Sequence, residues 1–447
     1  MSDQNLPQAE ASVPKRLGLL DLLLRPFAEV KAGEGLGAIL LTLNIFFLLL
    51  AYYLLKTVRE PLILTGGGAE VKSYASAGQA VMLVGLIQAY GSLAKRVPRL
   101  RLVTLTSLFF AACLLVFFGL GVLRVPYLGV AFYLWVGCFN MMVISQFWSF
   151  ANDVYTPEQG KRLFAIVGVG SSVGAVVGAK VAKWLIVPLG PYAMMLVAFG
   201  VLLLCLGLTH ASARTERQHR AVPVEEAPVA KRNAFAVLVG DRYLILLAAL
   251  AVLLNWVNSN GEYILDRVLV EAADTAIARG ETTLSPVKFI GAFKADFFFY
   301  VNVVGVVLQL GIVSRLVKYF GVRVALFVLP CVALASYSCV LLVPLLAVVR
   351  VGKTAENATD YSIQNTVKQM LFLPTSSEVK FTAKPAIDTI LVRIGDLLSA
   401  AVVAIGAATG LGTKGFALVN LVLIVLWLPL VFRVGKVYVD RERGAAS

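Results

Sequence analysis

The chain has 447 residues, of which 59% are hydrophobic and only 15% charged, and its net charge is +14. A soluble globular domain would carry about a quarter charged residues, so this composition excludes that class. Apolar segments of about 20 residues recur, as membrane-spanning helices require, and the period-two alternation of an outer-membrane barrel is absent. The sequence therefore predicts an all-α polytopic membrane protein.

Twelve segments along the chain are predicted to be transmembrane helices. They cover residues 35–57, 72–94, 102–122, 128–151, 162–187, 191–209, 243–265, 290–313, 322–343, 346–372, 386–411 and 415–433. A polar stretch divides them into two six-helix bundles. Each bundle has a short basic loop between its second and third helices, and this layout resembles the major facilitator architecture. The predicted domains are a cytoplasmic tail with an interfacial helix (1–34), two bundles (35–209 and 242–434), a cytoplasmic linker between them (210–241) and a cytoplasmic tail (435–447).

The lysines and arginines predict the orientation of these helices. With both termini cytoplasmic, twenty-five basic residues lie on the cytoplasmic side and six on the opposite side. This excess follows the positive-inside rule and accounts for most of the net charge, so no nucleic-acid partner is expected. It also makes residues 346–372 a span, because an even number of spans must separate the 315–323 loop from the C-terminal tail.

The tenth span is the most unusual segment. Five polar residues recur there at i, i+4, i+7, i+11 and i+15, and so share one helix face: Lys353, Asn357, Asp360, Gln364 and Lys368. One Lys at the centre of a membrane helix costs ~3 kcal/mol, so this face is predicted to line a water-filled cavity. Lys353 can pair with Glu356. Lys368 has no acidic residue three or four positions away, and we expect it to meet an anionic cargo.

The first and fourth spans carry further polar groups. Lys56, Arg59 and Glu60 share a face near the outer end of the first span, where they either snorkel to the interface or form an internal site. We assign them to a site, because ionisable residues within a membrane generally face the bundle interior. In the fourth span, Asn152 and Asp153 either contact cargo or serve a structural role, with Asp153 paired to a basic residue of the following turn.

The seventh and eleventh spans are also interrupted by polar residues. Asn side chains are costly in hydrocarbon unless they are hydrogen-bonded, so the polar face of the seventh span is predicted to point inward. That face holds Asn255, Asn258 and Glu262. The eleventh span holds a predicted internal ion-pair cluster of Asp388, Arg393 and Asp396.

Glycines in the fifth span predict close helix packing. Gly170, Gly174 and Gly178 form two consecutive small-xxx-small units, which let helix backbones approach each other. The glycines here lack the spacing of a dinucleotide fingerprint, and the Gly-Lys-Thr at 352–354 lacks the earlier glycine of a phosphate-binding loop. No metal-ligand spacing and no nucleophile–base pair is present, so we expect neither a cofactor nor an enzyme.

Two blocks carry a resemblance to a known family. FWSFANDVYTPEQGKRLFAIVGVGSSVG (147–174) and DYSIQNTVKQMLFLPTSSEVKFTAKPAIDTILVRIGD (360–396) resemble the ATP/ADP translocase-type transporters of plastids and intracellular bacteria. LLKTVRE (54–60) resembles the first-span signature of that family. Lys368 matches the lysine of its tenth-span run, where Gln369 replaces a glutamate. The remaining matches are Phe150, Ala151 and Asn152 in the fourth span, and Ile387, Asp388 and Arg393 in the eleventh; Glu262 is the nearest counterpart of an acidic residue in the seventh.

The resemblance implies a monomeric nucleotide exchanger of a bacterial inner membrane that works by alternating access. Lys56, Arg59 and Lys368 come from opposite halves, so a polyphosphate could bridge the bundles through them. The alternative is a transporter of another organic anion, proton-coupled through Glu60, Asp360 or Asp396. A scaffold or sensor would leave the polar tenth span without a purpose. The candidate cargo-binding residues are Lys56, Arg59, Glu60, Asn152, Asp153, Asn258, Glu262, Asp360, Gln364, Lys368, Asp388 and Arg393.

Overall fold

The computed structural model describes residues 18–25, 29–94, 97–217 and 234–446, and these are almost entirely helical. Three π-helical segments interrupt the α-helices, at Gln309–Val313, Asp360–Gln364 and Ile387–Leu391. The α-helices are α1 (Leu19–Leu24), α2 (Gly35–Ala94), α3 (Arg99–Val122), α4 (Leu128–Val154), α5 (Pro157–Arg217), α6 (Ala234–Val239), α7 (Arg242–Ala278), α8 (Pro286–Leu308), α9 (Ser314–Leu342), α10 (Leu346–Thr359), α11 (Asn365–Met370), α12 (Ser377–Ala386), α13 (Val392–Ala408) and α14 (Thr413–Ala446).

Within the described residues, eight helical stretches are long and apolar enough to cross a bilayer. Three of them contain a glycine with φ of 75–76°, a conformation that other residues rarely adopt: Gly68, Gly190 and Gly321. Each of these glycines divides its stretch into two spans that meet without a loop. We refer to them as the glycine joints. They separate the first span from the second, the fifth from the sixth, and the eighth from the ninth.

The tenth span is the helix built from α10, the π-segment Asp360–Gln364 and α11. It is not among the eight apolar stretches, because its charged residues lower its hydropathy. It nevertheless packs against α7, α8 and α9 inside the second half of the molecule. With the two spans on either side of each glycine joint, the described part of the chain contains twelve spans, and the predicted all-α polytopic membrane fold is confirmed.

Several helices extend beyond the apolar segments that predict them. α5 continues to Arg217, where the sequence predicts the end of the sixth span at 209, and α7 continues to Ala278 rather than 265. Gly280, with φ of 68°, follows the end of α7. A helix can continue past the hydrocarbon core of the membrane until a glycine or proline ends it. Hydropathy therefore predicts the part of the helix inside the membrane, but not its full length.

Each half has its own buried core. The first half, α2 to α5, buries large side chains such as Leu41, Phe110 and Phe139, and the second half, α7 to α14, buries Phe416 and Trp427. The two halves meet where α5 packs on α8 and where α2 packs on α7, α8 and α13.

The predicted close approach of the fifth span is confirmed. A Cβ on Gly170 would lie 2.6 Å from the carbonyl oxygen of Thr42, and one on Gly178 would lie 2.8 Å from the Cα of Leu50. At Gly174 a Cβ would overlap the backbone of the first span outright. The fifth span therefore packs backbone to backbone on the first, which fixes the helix that carries Lys56 and Arg59.

The N-terminal segment is tied to this half by charged groups. Asp21 is buried and accepts hydrogen bonds from the backbone N–H groups of Gly18, Gly33 and Gly35. Arg162, near the start of α5, donates to Glu34 at 2.9 Å. The predicted tail with its interfacial helix falls partly outside the described residues, so only α1 represents that helix in the structure.

Candidate functional site

Two neighbouring cavities lie inside the molecule. The first, which we call the central cavity, has a volume of about 280 Å³ and lies between the two halves. The second, which we call the apolar pocket, has a volume of about 420 Å³ and is lined by the second half alone. Asn255 and Tyr361 line both. The polar and charged lining of the central cavity includes Lys56, Arg59, Glu60, Lys72, Asn140, Asn255, Asn258, Glu262, Asp266, Asn357, Arg393 and Asp396.

Lys56 holds an unusual position in the central cavity. Its Nζ lies 4.2 Å from the centroid of the Phe298 ring and 5.5 Å from that of the Tyr53 ring, so the ammonium makes cation–π interactions with both rings. Among the residues that the structure describes, no carboxylate lies within ion-pair distance of this ammonium. Arg59 differs: it donates to Glu60 at 2.7 Å and stacks over the ring of Tyr133 at 4.4 Å.

An ion-pair network joins the two halves beside this cavity. Lys72, from the second span, donates to Glu60 of its own half and, at 2.6 Å, to Asp266 of the other. Lys294, from the eighth span, is fully buried and lies 2.5 Å from Asp266 and 3.5 Å from Glu60. We call these four residues the bridging network. Two cations and two carboxylates alternate in it, as buried charges require.

A second set of buried charges lies in the second half. Lys353 donates to Glu356 at 2.9 Å and to the Asn258 side chain at 2.7 Å. Asn357 donates to Glu262 at 2.9 Å, which holds that carboxylate at the cavity wall. The predicted Lys353–Glu356 pair is thus present, and the inward prediction for the seventh span is confirmed, because Asn255, Asn258 and Glu262 all line the central cavity.

The eleventh span completes the charged lining. Asp396 accepts from Arg393 at 3.1 Å, from Ser259 at 2.7 Å and from Asn255 at 3.0 Å. Of the cations in and beside the central cavity, Lys56 is the one that forms no ion pair with a carboxylate of the described residues. The cations are Lys56, Arg59, Lys72, Lys294, Lys353 and Arg393, and the carboxylates are Glu60, Glu262, Asp266, Glu356 and Asp396.

Other polar contacts between the halves are found on the same side as the bridging network or near the middle of the membrane. Lys183 of the fifth span lies 2.5 Å from Asp296 of the eighth. Tyr263 donates to Glu70 at 2.8 Å, and Tyr53 donates to Asn302 at 2.9 Å. Since the first and seventh spans both begin at the side of the chain termini, Glu60, Glu70 and Tyr263 lie toward the opposite side. The halves are therefore joined at the end of the molecule remote from the termini.

The apolar pocket lies nearer the termini. Its polar lining comes mainly from the predicted face of the tenth span, with Asp360, Gln364 and Lys368. Lys368 lies 2.7 Å from Asp388 of the eleventh span, and Asp388 also accepts from Lys384 at 3.1 Å. Lys368 has no acidic residue three or four positions away, as the sequence shows, but it does have an acidic partner. Its partner comes from a different helix, which a search along the tenth span alone does not reach.

The predicted site residues fall into three groups. Lys56, Arg59, Glu60, Asn258, Glu262 and Arg393 line the central cavity. Asp360, Gln364 and Lys368 line the apolar pocket, with Asp388 beside it. Asn152 and Asp153 are not among the lining residues of either cavity; they lie in the last turn of α4.

Sequence reasoning missed Lys72, Asp266 and Lys294 as members of the site. All three fall near predicted span boundaries, where a charge is usually exposed to water. In the structure they are less than 9% exposed, because the helices extend beyond the apolar segments. One signal was available in the sequence. The first, second, seventh and eighth spans each carry a charged residue near the end remote from the termini, so these four charges lie at a similar depth in the membrane. The fourth of them is Glu60.

Two six-span halves that enclose a charged cavity at their interface define a membrane transporter of the major facilitator fold. The structure of a bacterial homologue of the iron transporter ferroportin superposes with a TM-score of 0.65 at 13% identity, covering 89% of this chain and 98% of that one. The predicted fold is thus confirmed.

The family model described as TLC ATP/ADP transporter matches residues 211–438, about half of the chain, so the protein belongs to this family and is a transporter, not an enzyme. It is 24% identical to ADP,ATP carrier protein 2 of Chlamydia pneumoniae, over 95% of this chain and 94% of that protein. It is 22% identical to ADP,ATP carrier protein 1 of the same organism, over 70% and 68% of the two chains.

Proposed function

We propose that this protein exchanges nucleotides across a bacterial inner membrane, with both termini in the cytoplasm and one chain as the working unit. The observation that carries the proposal is Lys56, a cation lining the central cavity whose ammonium lies within ion-pair distance of no carboxylate among the described residues. An anionic cargo supplies the missing partner. Membership of the TLC family, whose relatives are named ADP,ATP carriers, supports a nucleotide as that anion.

The phosphates have three donors at this place. Arg59 uses its Nε and one Nη for Glu60, so donors of its second Nη are left for a phosphate oxygen. Arg393 is partly exposed and uses one Nη for Asp396. The cation–π interaction of Lys56 with the Phe298 ring contributes only about 0.5–2 kcal/mol. Lys56 therefore gives up this interaction for a stronger hydrogen bond to a charged phosphate oxygen.

This arrangement changes the role first expected of Lys368. A phosphate reaches the Lys368 ammonium only in competition with Asp388, whereas no carboxylate of the described residues is paired with Lys56. We therefore place the phosphate groups at Lys56, Arg59 and Arg393 in the central cavity. In this proposal Lys368 contacts cargo in the apolar pocket, on the path toward the cytoplasm.

The position of the bridging network supports alternating access. Lys72, Lys294, Glu60 and Asp266 close the side remote from the termini, so cargo passes on that side only after these pairs separate between the halves. A bound phosphate neutralises Lys56 while the halves move. Without cargo that charge crosses a low-dielectric interior unbalanced, which is costly and favours exchange over return of the empty carrier.

The test is transport by the purified protein in liposomes. Vesicles preloaded with ADP should take up labelled ATP, and empty vesicles should take up far less. Lys56→Met should abolish most of this uptake, while Arg279→Met, at an exposed position outside both cavities, should leave it unchanged. Uptake that is indifferent to internal nucleotide would contradict the exchange proposal.

One observation favours a second candidate function, proton-coupled transport of another organic anion. Asp360 lines the apolar pocket, and in the described part of the structure no cation lies within ion-pair distance of its carboxylate. The other two carboxylates considered for this role, Glu60 and Asp396, are held by arginine or lysine. Uptake driven by a pH gradient without internal nucleotide would support this candidate.

A further inference from the structure

The apolar pocket differs in chemistry from the central cavity. Leu250, Leu254, Ile387 and Val392 form much of its wall, and its volume of about 420 Å³ is within the range of sites for small organic ligands. Its lysine is already paired, as the contact between Lys368 and Asp388 shows. A polyphosphate gains little in such a pocket, whereas a planar, largely apolar group fits its walls.

Two acceptors on the tenth span face this pocket without donors. Gln364 is only 2% exposed, and its Oε1 accepts no hydrogen bond from the described residues. Asp360, one turn earlier on the same face, accepts no side-chain hydrogen bond within the same part of the molecule. The nearest lysines along the helix, Lys353 and Lys368, are each held by another carboxylate. Gln364 is buried and Asp360 is partly exposed, and two open acceptors on the wall of one pocket indicate a ligand that brings donors.

On the basis of the proposed nucleotide transport, we propose that the apolar pocket binds the nucleobase and that Asp360 selects guanine. Guanine carries two neighbouring donors, N1–H and the N2 amino group, which match the two oxygens of one carboxylate. Adenine offers one amino group beside a ring-nitrogen acceptor, which a carboxylate repels. Gln364 Oε1 adds an acceptor one turn away.

The connection between the cavities gives the cargo its direction. Asn255 and Tyr361 belong to both linings, and the Tyr361 ring is 47% exposed at this boundary. An aromatic ring at that place stacks on a planar base. The base then lies toward the cytoplasm and the phosphates point to Lys56, so one nucleotide occupies both cavities.

The experiment is a competition assay with the full chain in liposomes loaded with unlabelled nucleotide. Uptake of labelled GTP is measured against unlabelled GTP, ATP and ITP, the inosine nucleotide that keeps N1–H and lacks the N2 amino group. We expect GTP to compete about tenfold better than ATP or ITP, since one bidentate base contact discriminates by this order. Asp360→Asn should reduce that ratio to about threefold or less by the same reasoning. Asp241→Asn, which alters a carboxylate paired with Arg441 outside both cavities, should keep it.

The outcomes separate this inference from the proposed function. Equal competition by the three nucleotides, or an unchanged ratio in Asp360→Asn, overturns guanine selection while nucleotide exchange stands. A loss of pH-gradient dependence in Asp360→Asn with the ratio unchanged also overturns it. If no nucleotide is taken up at all, the proposed function fails and this inference with it. The comparison of GTP with ITP needs no variant, and each ratio is independent of the amount of active protein.

Discussion

The ammonium of Lys72 lies 2.6 Å from the carboxylate of Asp266, and this contact crosses from one half of the molecule to the other. Both side chains are almost fully buried. Glu60 and Lys294 surround the pair with the opposite charges, so each group has more than one partner. The two halves are thus joined by redundant ion pairs at the side remote from the termini, and opening that side requires several of them to separate together.

Removal of Lys72 should favour the outward-open state. In Lys72→Met, Asp266 keeps Lys294 and Glu60 keeps Arg59, so we expect a folded protein with a weaker link between the halves. Ser76, which lines the central cavity, reports the change when it is replaced by Cys in a background without the five native cysteines. A maleimide that cannot cross the membrane should label it several-fold faster than in the parent. Arg279→Met is the control, and an equal labelling rate in Lys72→Met would contradict the gating role.

Two buried lysines should respond differently to the same substitution. Lys56→Met removes an ammonium that forms no ion pair with any carboxylate of the described residues, so we expect little change in melting temperature. Its kcat/KM for nucleotide should fall about tenfold or more, since a hydrogen bond to a charged group contributes about 1.5–3 kcal/mol. Parallel transport and thermal-unfolding measurements check both parts, and a large loss of stability would show that Lys56 is structural.

Lys294→Met should instead destabilise the fold. Its ammonium is fully buried and lies 2.5 Å from Asp266, so the variant weakens the compensation of a buried carboxylate. Breaking a buried ion pair costs about 3–5 kcal/mol, although Lys72 reduces this by remaining beside Asp266. We expect a clearly lower melting temperature in detergent. A double variant with Asp266→Asn should recover part of the loss, and no recovery would argue against the pairing.

Glycine substitutions in the fifth span should separate packing from helix propensity. Gly174→Leu places a side chain into the backbone of the first span at Phe46, whereas Gly168→Leu meets nothing within 4 Å. Both changes raise helix propensity by about 1 kcal/mol. We expect Gly174→Leu to lose folded protein and transport and Gly168→Leu to keep both, as size-exclusion chromatography and uptake would show.

The contact between Glu34 and Arg162 should depend on pH. Burial raises the pKa of Glu34, but the Arg162 guanidinium, the Lys31 backbone N–H and Gln159 lower it more, so the net pKa lies below the ordinary 4.5. A depressed carboxylate pKa stabilises the folded state above the unfolded pKa, and this stability is lost as pH falls through the folded value. The melting temperatures of wild type and Glu34→Gln should therefore differ at pH 7 and converge below pH 4.5. A constant difference would exclude this linkage.

The sequence was sufficient for the number of spans, because hydropathy together with the distribution of Lys and Arg requires twelve. It was also sufficient for the face of the tenth span, because helical phase depends only on local spacing. Asp360, Gln364 and Lys368 do line one pocket, as that phase requires. The sequence was insufficient to identify the partner of Lys368. Asp388 lies twenty residues further along the chain, and it contacts Lys368 only because two helices pack against each other.

The glycine joints were equally hidden in the sequence. Gly68 follows two other glycines, and nothing in the composition shows which of the three adopts a positive φ. The bridging network depends on that choice, because the turn at Gly68 brings Lys72 back to Glu60. The role of Lys72 depends both on the backbone angle at Gly68 and on the helices that pack beside it, so residue spacing in the sequence does not reveal that role.

The joint at Gly68 has a consequence for the way the protein enters the membrane. The first two spans have no loop between them, so they have to insert together as a helical hairpin. Glu60 and Lys72 flank the tip of that hairpin and already form an ion pair with each other. This pair needs no residue of the second half, and neutralising both charges within the hairpin lowers the cost of carrying them across the bilayer. Asp266 and Lys294, from the second half, add to a pair that the first half forms by itself.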